Sequence, residues 1–289
     1  MKVIDIHIHG GFGINFDFAT KDEIRTFAKL AYKEGIVAFC PTLTGGNIQE
    51  MQRKLKTICE AKTSQNGTVD EALIIGAHLE GTFLSKEKPG IQDKSVFLSP
   101  TIENFKKICG DYEEIVKIVV IAPENKNCSE LINYLKNKNI KVHYGHSQAD
   151  FIDNADGICH LYNGMDDISH KKETMALKAL LSKEIYTELI ADLIHNNKDI
   201  LNLTFKTRPK DKIILISDSL PISKSNLDSI EFCNKKIYRN GKDENGTLGG
   251  SVKLLPEIVE NLIKENILDK KTAIKMAYEN PKNYLKLMV

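Results

Sequence analysis

Eight short apolar runs rich in Ile, Val and Leu recur along the chain with helix-like segments between them, and this alternation constrains the fold more than any other feature. The runs lie near 2–9, 36–40, 73–79, 116–121, 140–145, 157–161, 185–191 and 212–217. Helical periodicity falls near 21–34, 47–62, 101–109, 128–138 and 148–154, within 165–183, and at 251–266 and 270–287. A Gly/Pro-containing loop occupies 81–100, and Asn240-Gly241 and Asn245-Gly246 signal a small hairpin in the polar stretch after the eighth run. Strands that alternate with helices make a parallel sheet, and eight of them close into a barrel. The length of 289 residues is somewhat above the roughly 250 typical of such a fold. The expectation is α/β, a single (β/α)8 TIM barrel spanning 1–289 as one domain, without internal repeat, linker or low-complexity tract.

The ends of these runs carry the chemistry. His7 and His9 close the first run just before Gly10-Gly11, and side chains two apart on a strand point to the same side. Two imidazoles there can grip one metal ion through neutral nitrogens. A His-x-His pair alone is more often solvated or hydrogen-bonded than ligating. Four further ligand-type residues recur at the same place in later runs: Glu80, His146, His160 and Asp218. In a closed parallel barrel every strand delivers its carboxyl end to one mouth, so residues far apart in sequence converge. Taken singly, Glu80 reads as a surface carboxylate, Asp218 as a helix cap, and His146 and His160 as core histidines; taken together they read as a metal centre. His78 and His143 lie inside runs and read as hydrogen-bonded core residues, while His170 reads as solvated.

Charge and composition narrow the partners. A net charge of +1 offers no broad basic surface, which argues against nucleic acid and against anionic membrane. No apolar run approaches the ~20 residues of a membrane span, and the first residues enter a strand without a basic and then apolar leader. The expectation is a cytoplasmic protein. Six cysteines with no CxxC spacing fit buried free thiols in a reducing compartment.

Several runs resemble those of the N-acetylglucosamine-6-phosphate deacetylase family within the amidohydrolase superfamily. They are His78-Leu79-Glu80-Gly81-Thr82-Phe83-Leu84, Gly145-His146-Ser147, His160-Leu161-Tyr162-Asn163-Gly164-Met165, Ala191-Asp192-Leu193-Ile194-His195, Ser217-Asp218 and Gly246-Thr247-Leu248-Gly249-Gly250-Ser251. Their order and approximate spacing match from residue 3 to about 285. The resemblance implies a metallo-dependent hydrolase that releases acetate from the N-acetyl amide of N-acetylglucosamine 6-phosphate or a related amino-sugar phosphate. It implies one or two divalent ions, zinc foremost, with iron, manganese, cobalt or nickel as alternatives. By resemblance Glu80, His146 and His160 hold the main ion, His7 and His9 complete a second site with Glu80 bridging, and Asp218 moves the proton from water to the departing amine. The resemblance also implies a homodimer, and a small β-sandwich that this chain, starting inside its first strand, is expected to lack.

On the substrate side, the resemblance places Asn163 and the backbone at Gly164 near the phosphate, His195 near a sugar hydroxyl, and Leu248 among the substrate contacts. Lys171 stands where the family has an arginine that reaches the phosphate, often from the neighbouring subunit; lysine keeps the charge but not the planar fork. Thr82 replaces a proline, and Gln92 replaces a histidine that contacts the substrate carbonyl; its amide can still donate to a developing oxyanion. The departures cluster on the substrate side and spare the metal ligands. Two alternatives stay open: an amidohydrolase acting on another acylated or cyclic amide, and a metal- or sugar-phosphate-binding relative without turnover.

Overall fold

The computed structural model of the chain describes residues 1–65 and 70–288. Eight strands run in chain order round a ring, each parallel to the next: β1 (Val3–Ile8), β2 (Ile36–Leu43), β3 (Ala77–Phe83), β4 (Val116–Ile121), β5 (Lys141–Tyr144), β6 (Gly157–Ile158), β7 (Tyr186–Ile190) and β8 (Ile213–Ile216). No regular ladder joins β8 to β1. The gap is bridged instead by side chains and loop backbone. Ser217 donates from Oγ to the Asp5 carboxylate at 2.5 Å, and the Asp218 N–H donates to the His7 carbonyl at 2.9 Å. The result is the expected (β/α)8 barrel.

The helices form where local signals place them. In α1 (Lys21–Glu34), Thr20 and Glu23 make a reciprocal capping box, and Gly35 ends the helix at φ 104°. Asn47 and Glu50 do the same for α2 (Ile48–Thr63). The buried face of α1, Ile24, Phe27, Ala28 and Ala31, packs in the same cluster as Phe39 and Leu43 of β2. Phe27→Ala there is expected to cost about 3–5 kcal/mol. A second cluster joins Ile4, Ile6, Ala38, Cys40, Ile118, Ile190, Ile214 and Ile216 to Tyr284 near the C-terminus. Alternate residues of β1, β2 and β8, with Ile118 of β4 and Ile190 of β7, thus fill the barrel.

Further helices are α3 (Ile102–Cys109), α4 (Cys128–Asn137), α5 (Met175–Leu181), α6 (Lys198–Thr207) and α7 (Leu255–Lys264). The expected helix at 148–154 is absent; the segment is irregular, held by Ser147 Oγ and Glu124 accepting backbone N–H groups. The run at 73–79 is two strands, because Gly76 at φ 151° breaks it between Leu73–Ile74 and β3. Glu80 therefore lies inside a strand, not at its end. The hairpin is Ser229–Phe232 with Lys235–Tyr238. It turns at Cys233-Asn234, both at positive φ, so neither Asn-Gly pair makes it. Asn245-Gly246 instead turns the chain between Lys242 and Leu248, which form an isolated bridge. The last expected helix contains a π turn over Lys275–Glu279 between Lys270–Ile274 and Asn280–Tyr284. All six cysteines are free, four of them buried. Among the described residues no helix is long and apolar enough to cross a membrane.

Candidate active site

The carboxyl ends of the strands surround a cavity of about 210 Å³. Glu80 from β3 is its hub. Its Oε1 stands 2.7 Å from His160 Nε2 and 3.1 Å from His146 Nε2, while its Oε2 stands 3.3 Å from His9 Nε2. Asp218 Oδ1 lies 3.2 Å from His9 Nε2 and 3.3 Å from His7 Nε2. All six residues singled out as ligands or proton carrier therefore meet in one place. His7 lies under the cavity floor and the other five line it.

The backbone there is under strain. His146, His160 and Asp218 have φ of 48°, 25° and 51°, a region that side chains other than glycine rarely adopt, at a cost of about 1–3 kcal/mol each. Each lies two residues past a strand end and is turned inward over the barrel. Gly164, at φ 63°, keeps the space beside His146 open, since a Cβ there would stand 3.0 Å from the His146 Nδ1.

Three imidazoles are fixed in orientation through Nδ1, which leaves Nε2 aimed at the carboxylates. His146 Nδ1 lies 2.8 Å from the Lys88 carbonyl, His160 Nδ1 lies 3.1 Å from the Asn163 carbonyl, and His7 Nδ1 lies 3.0 Å from Glu188 Oε2. Burial opposes charge on His7, His9 and His146, yet attraction to the neighbouring carboxylates prevails. It lifts His9 to about 9, because the Asp218 and Glu80 carboxylates stand beside its Nε2. Burial likewise opposes the Glu80 anion, but the His7 charge and the imidazole hydrogen bonds hold Glu80 well below the usual carboxylate range. Two buried carboxylates thus call for positive charge among imidazoles that supply it only by taking protons, and a cation satisfies the same demand with the imidazoles neutral. Among the described residues the buried His7 Nε2 and Asp218 Oδ1 stand 3.3 Å apart without making a hydrogen bond of good geometry, as expected of atoms shaped for an ion. The donor set of oxygen and imidazole nitrogen suits zinc and its first-row neighbours.

The residues expected on the substrate side divide. Gln92, Asn163, Gly164, His195 and Leu248 all line the cavity. His195 is held by Asp192, whose Oδ2 lies 2.9 Å from His195 Nδ1 and whose Oδ1 accepts the Ile194 and His195 N–H groups. Burial opposes the Asp192 anion, but the His195 hydrogen bond draws Asp192 down to about 2. Gln92 differs from expectation. Its amide nitrogen donates to the Glu80 carbonyl at 2.9 Å and to Glu80 Oε2 at 3.1 Å, so it braces a carboxylate and offers the cavity no free donor in this arrangement. Lys171 is not brought to the cavity. It sits on an exposed loop with its N–H bonded to Ser169 Oγ, and no Lys or Arg is among the described lining residues. Sequence reasoning missed Glu188, Asp192 and Asp5. A lone glutamate in the otherwise uncharged β7 run was the available signal for the first.

Carboxylates and imidazoles gathered at the carboxyl ends of a parallel barrel define a barrel of the amidohydrolase type. No family model matches the chain. It is 31% identical over 260 residues to the N-acetylglucosamine-6-phosphate deacetylase of Bacillus subtilis, covering 86% of this chain and 66% of that protein. It is 27% identical over 292 residues to the N-acetylgalactosamine-6-phosphate deacetylase of Escherichia coli O157:H7, covering 98% and 76%. The crystal structure of N-acetylglucosamine-6-phosphate deacetylase from Pasteurella multocida superposes with a TM-score of 0.89 at 26% identity, covering 99% of this chain and 76% of that one. The chain thus spans about two thirds of the Bacillus relative and about three quarters of the other two. It belongs to the N-acetylglucosamine-6-phosphate deacetylase family.

Proposed function

We propose that the chain is a metal-dependent hydrolase that cleaves the N-acetyl amide of an amino-sugar phosphate, N-acetylglucosamine 6-phosphate first, releasing acetate. The observation that carries this reading is the convergence of Glu80, His146, His160, His7, His9 and Asp218 around one small cavity. Glu80 divides the donors: Oε1 faces His146 and His160, with His7 Nε2 farther off at 3.7 Å, and Oε2 faces His9. That division supports one ion held by Glu80, His146 and His160, and a second held by His7, His9 and the other Glu80 oxygen. Zinc is the first candidate, and iron, manganese, cobalt and nickel accept the same donors. A bound divalent ion would lower the pKa of water and polarise the amide carbonyl.

The chain's own residues perform the proton work. Asp218 has one oxygen beside His7 and His9 and lines the cavity, so it can accept a proton from the attacking water. The same carboxyl then returns the proton to the amine nitrogen as the C–N bond breaks, leaving acetate and the free amino sugar. Its burial excludes bulk water from competing for that proton. His195, with Nδ1 committed to Asp192, presents Nε2 for a sugar hydroxyl. Asn163 and Gly164 face the phosphate side, with Leu248 against the sugar. The described lining offers no cation, so the phosphate charge needs one from outside it, and Lys171, at the position of the family's arginine, is the candidate, from the same subunit after its loop moves or from the partner in a homodimer. Release of acetate from N-acetylglucosamine 6-phosphate by zinc-loaded protein, and none by protein stripped with a chelator, is the expected result. Acetate release that survives stripping would remove the metal from this reading.

A further inference from the structure

Beneath the cavity lies a buried polar cluster that the reaction as described does not use. Glu188 of β7 is 1% exposed and lines no part of the cavity, so it cannot touch the substrate. Its two oxygens diverge. Oε2 lies 3.0 Å from His7 Nδ1, and Oε1 lies 3.3 Å from His143 Nδ1 and 3.9 Å from His78 Nδ1. His143 continues the chain of contacts, with Nε2 2.8 Å from the Tyr284 hydroxyl. His78 is already committed, because its Nδ1 lies 2.8 Å from the Ile6 carbonyl. A carboxylate in the middle of a barrel is costly unless it is held by several donors. Here the His7 imidazole of β1 and the His160 N–H, at 3.4 Å, meet Oε2, while Oε1 stands in ion-pair range of the β5 imidazole of His143.

The partners of the other ligands make the position distinctive. His146 and His160 rest their Nδ1 on backbone carbonyls, whereas His7 alone rests it on a charged side chain. An imidazole carries its proton on one nitrogen or the other, and the hydrogen bond made by one decides which lone pair the second offers. An ionised acceptor makes that bond about twice as strong as a neutral one and raises the basicity of the opposite nitrogen.

We infer that Glu188 is the positioning residue of the metal centre: it commits His7 to carrying its proton on Nδ1, so that Nε2 presents a lone pair toward Glu80 and Asp218, and His143 with Tyr284 holds Glu188 in place. The inference rests on the reading of His7 as a metal ligand. The amide of Glu188→Gln offers His7 at best a neutral oxygen in place of the carboxylate, with its NH2 turned to His143. Zinc affinity of Glu188→Gln, measured by chelator competition, is expected to fall about 10- to 100-fold. With it, kcat should recover at saturating zinc while the substrate KM stays at the wild-type value. A purely structural role for Glu188 would lower the melting temperature and leave zinc affinity unchanged, and that result overturns the inference.

His9→Ala in the same assay separates the two failures. Weakened zinc in His9→Ala with unchanged zinc in Glu188→Gln refutes the positioning role alone, whereas unchanged zinc in both refutes the ligand assignment beneath it. Should Glu188→Gln not fold, Glu188→Asp keeps the charge but draws the carboxylate back by one methylene. It is expected to weaken zinc by about 10-fold, and unchanged affinity in that variant overturns the inference. Cobalt substitution guards against a different use of the cluster, since Cys159 Sγ lies 3.7 Å from His7 Nδ1. A cobalt–thiolate absorption band lost in Cys159→Ser would make His7 Nδ1 and Glu188 ligands of an interior ion and overturn the positioning role; no such band is expected.

Discussion

The floor of the cavity and its rim are built in different ways. On the floor, Glu80, His146, His160 and Asp218 leave strands or strand ends, and their orientations are set by fixed acceptors such as the Lys88 and Asn163 carbonyls. At the rim, Leu248 sits in the loop after the 229–238 hairpin, and Lys171 sits on an exposed loop away from the cavity. A strand end is placed by the whole barrel, so its side chain is placed to within the tolerance that ion binding demands. A loop residue is placed by a few local bonds. The difference teaches that the hydrolytic chemistry is a property of the barrel, while the choice of sugar phosphate is a property of the loops.

If that division is right, damage to the floor must exceed damage to the rim. The largest effect is expected for Glu80→Ala, which removes the carboxylate facing His9, His146 and His160. Metal content by elemental analysis should drop to near zero, and activity should fall by at least ~10³-fold, the several kcal/mol that a Lewis acid supplies. Wild-type metal content in this variant would show that the centre is organised by other residues. Next, Asp218→Asn should keep the fold and substrate binding while turnover falls by at least ~100-fold, because an amide cannot carry the proton from water to amine. Turnover near the wild-type rate would assign that proton to another group.

Gln92→Ala probes the boundary between the two regions. Since Gln92 braces Glu80 from the cavity wall, zinc affinity should weaken by about 10-fold, and extra zinc should restore most of the turnover. A rise in KM with zinc affinity unchanged would return Gln92 to the rim, as a substrate contact. The smallest effect belongs to Lys171. Lys171→Ala should weaken N-acetylglucosamine 6-phosphate relative to unphosphorylated N-acetylglucosamine, and Lys171→Arg should tighten it, both read as kcat/KM. Equal changes on the two sugars would leave the phosphate to another partner.

The same contrast explains what could be read from the sequence. The eight runs and the ligand-type residues at their ends were visible because strand alternation and parallel closure are rules of the whole chain, and they act on His7 and Asp218 alike despite 210 intervening residues. The missed features depend on local or long-range partners that spacing does not encode. Gly76 divides the run at 73–79 through its φ of 151°, and the hairpin turns at Cys233-Asn234 because its register pairs Phe232 with Lys235. Gln92 was expected to face the substrate, and only the folded 81–100 loop shows it turned onto Glu80. Glu188 was missed although it is a lone charge in an apolar run, because its partners, His7 and His143, lie 181 and 45 residues away in the chain.

The most direct test is a paired assay of zinc-loaded and chelator-stripped protein with N-acetylglucosamine 6-phosphate, in which acetate and bound metal are measured on the same samples. Acetate release that rises in proportion to bound zinc and disappears in the stripped protein is the predicted result. A protein that binds zinc at the Glu80 centre yet releases no acetate from either N-acetylglucosamine 6-phosphate or N-acetylgalactosamine 6-phosphate would contradict it.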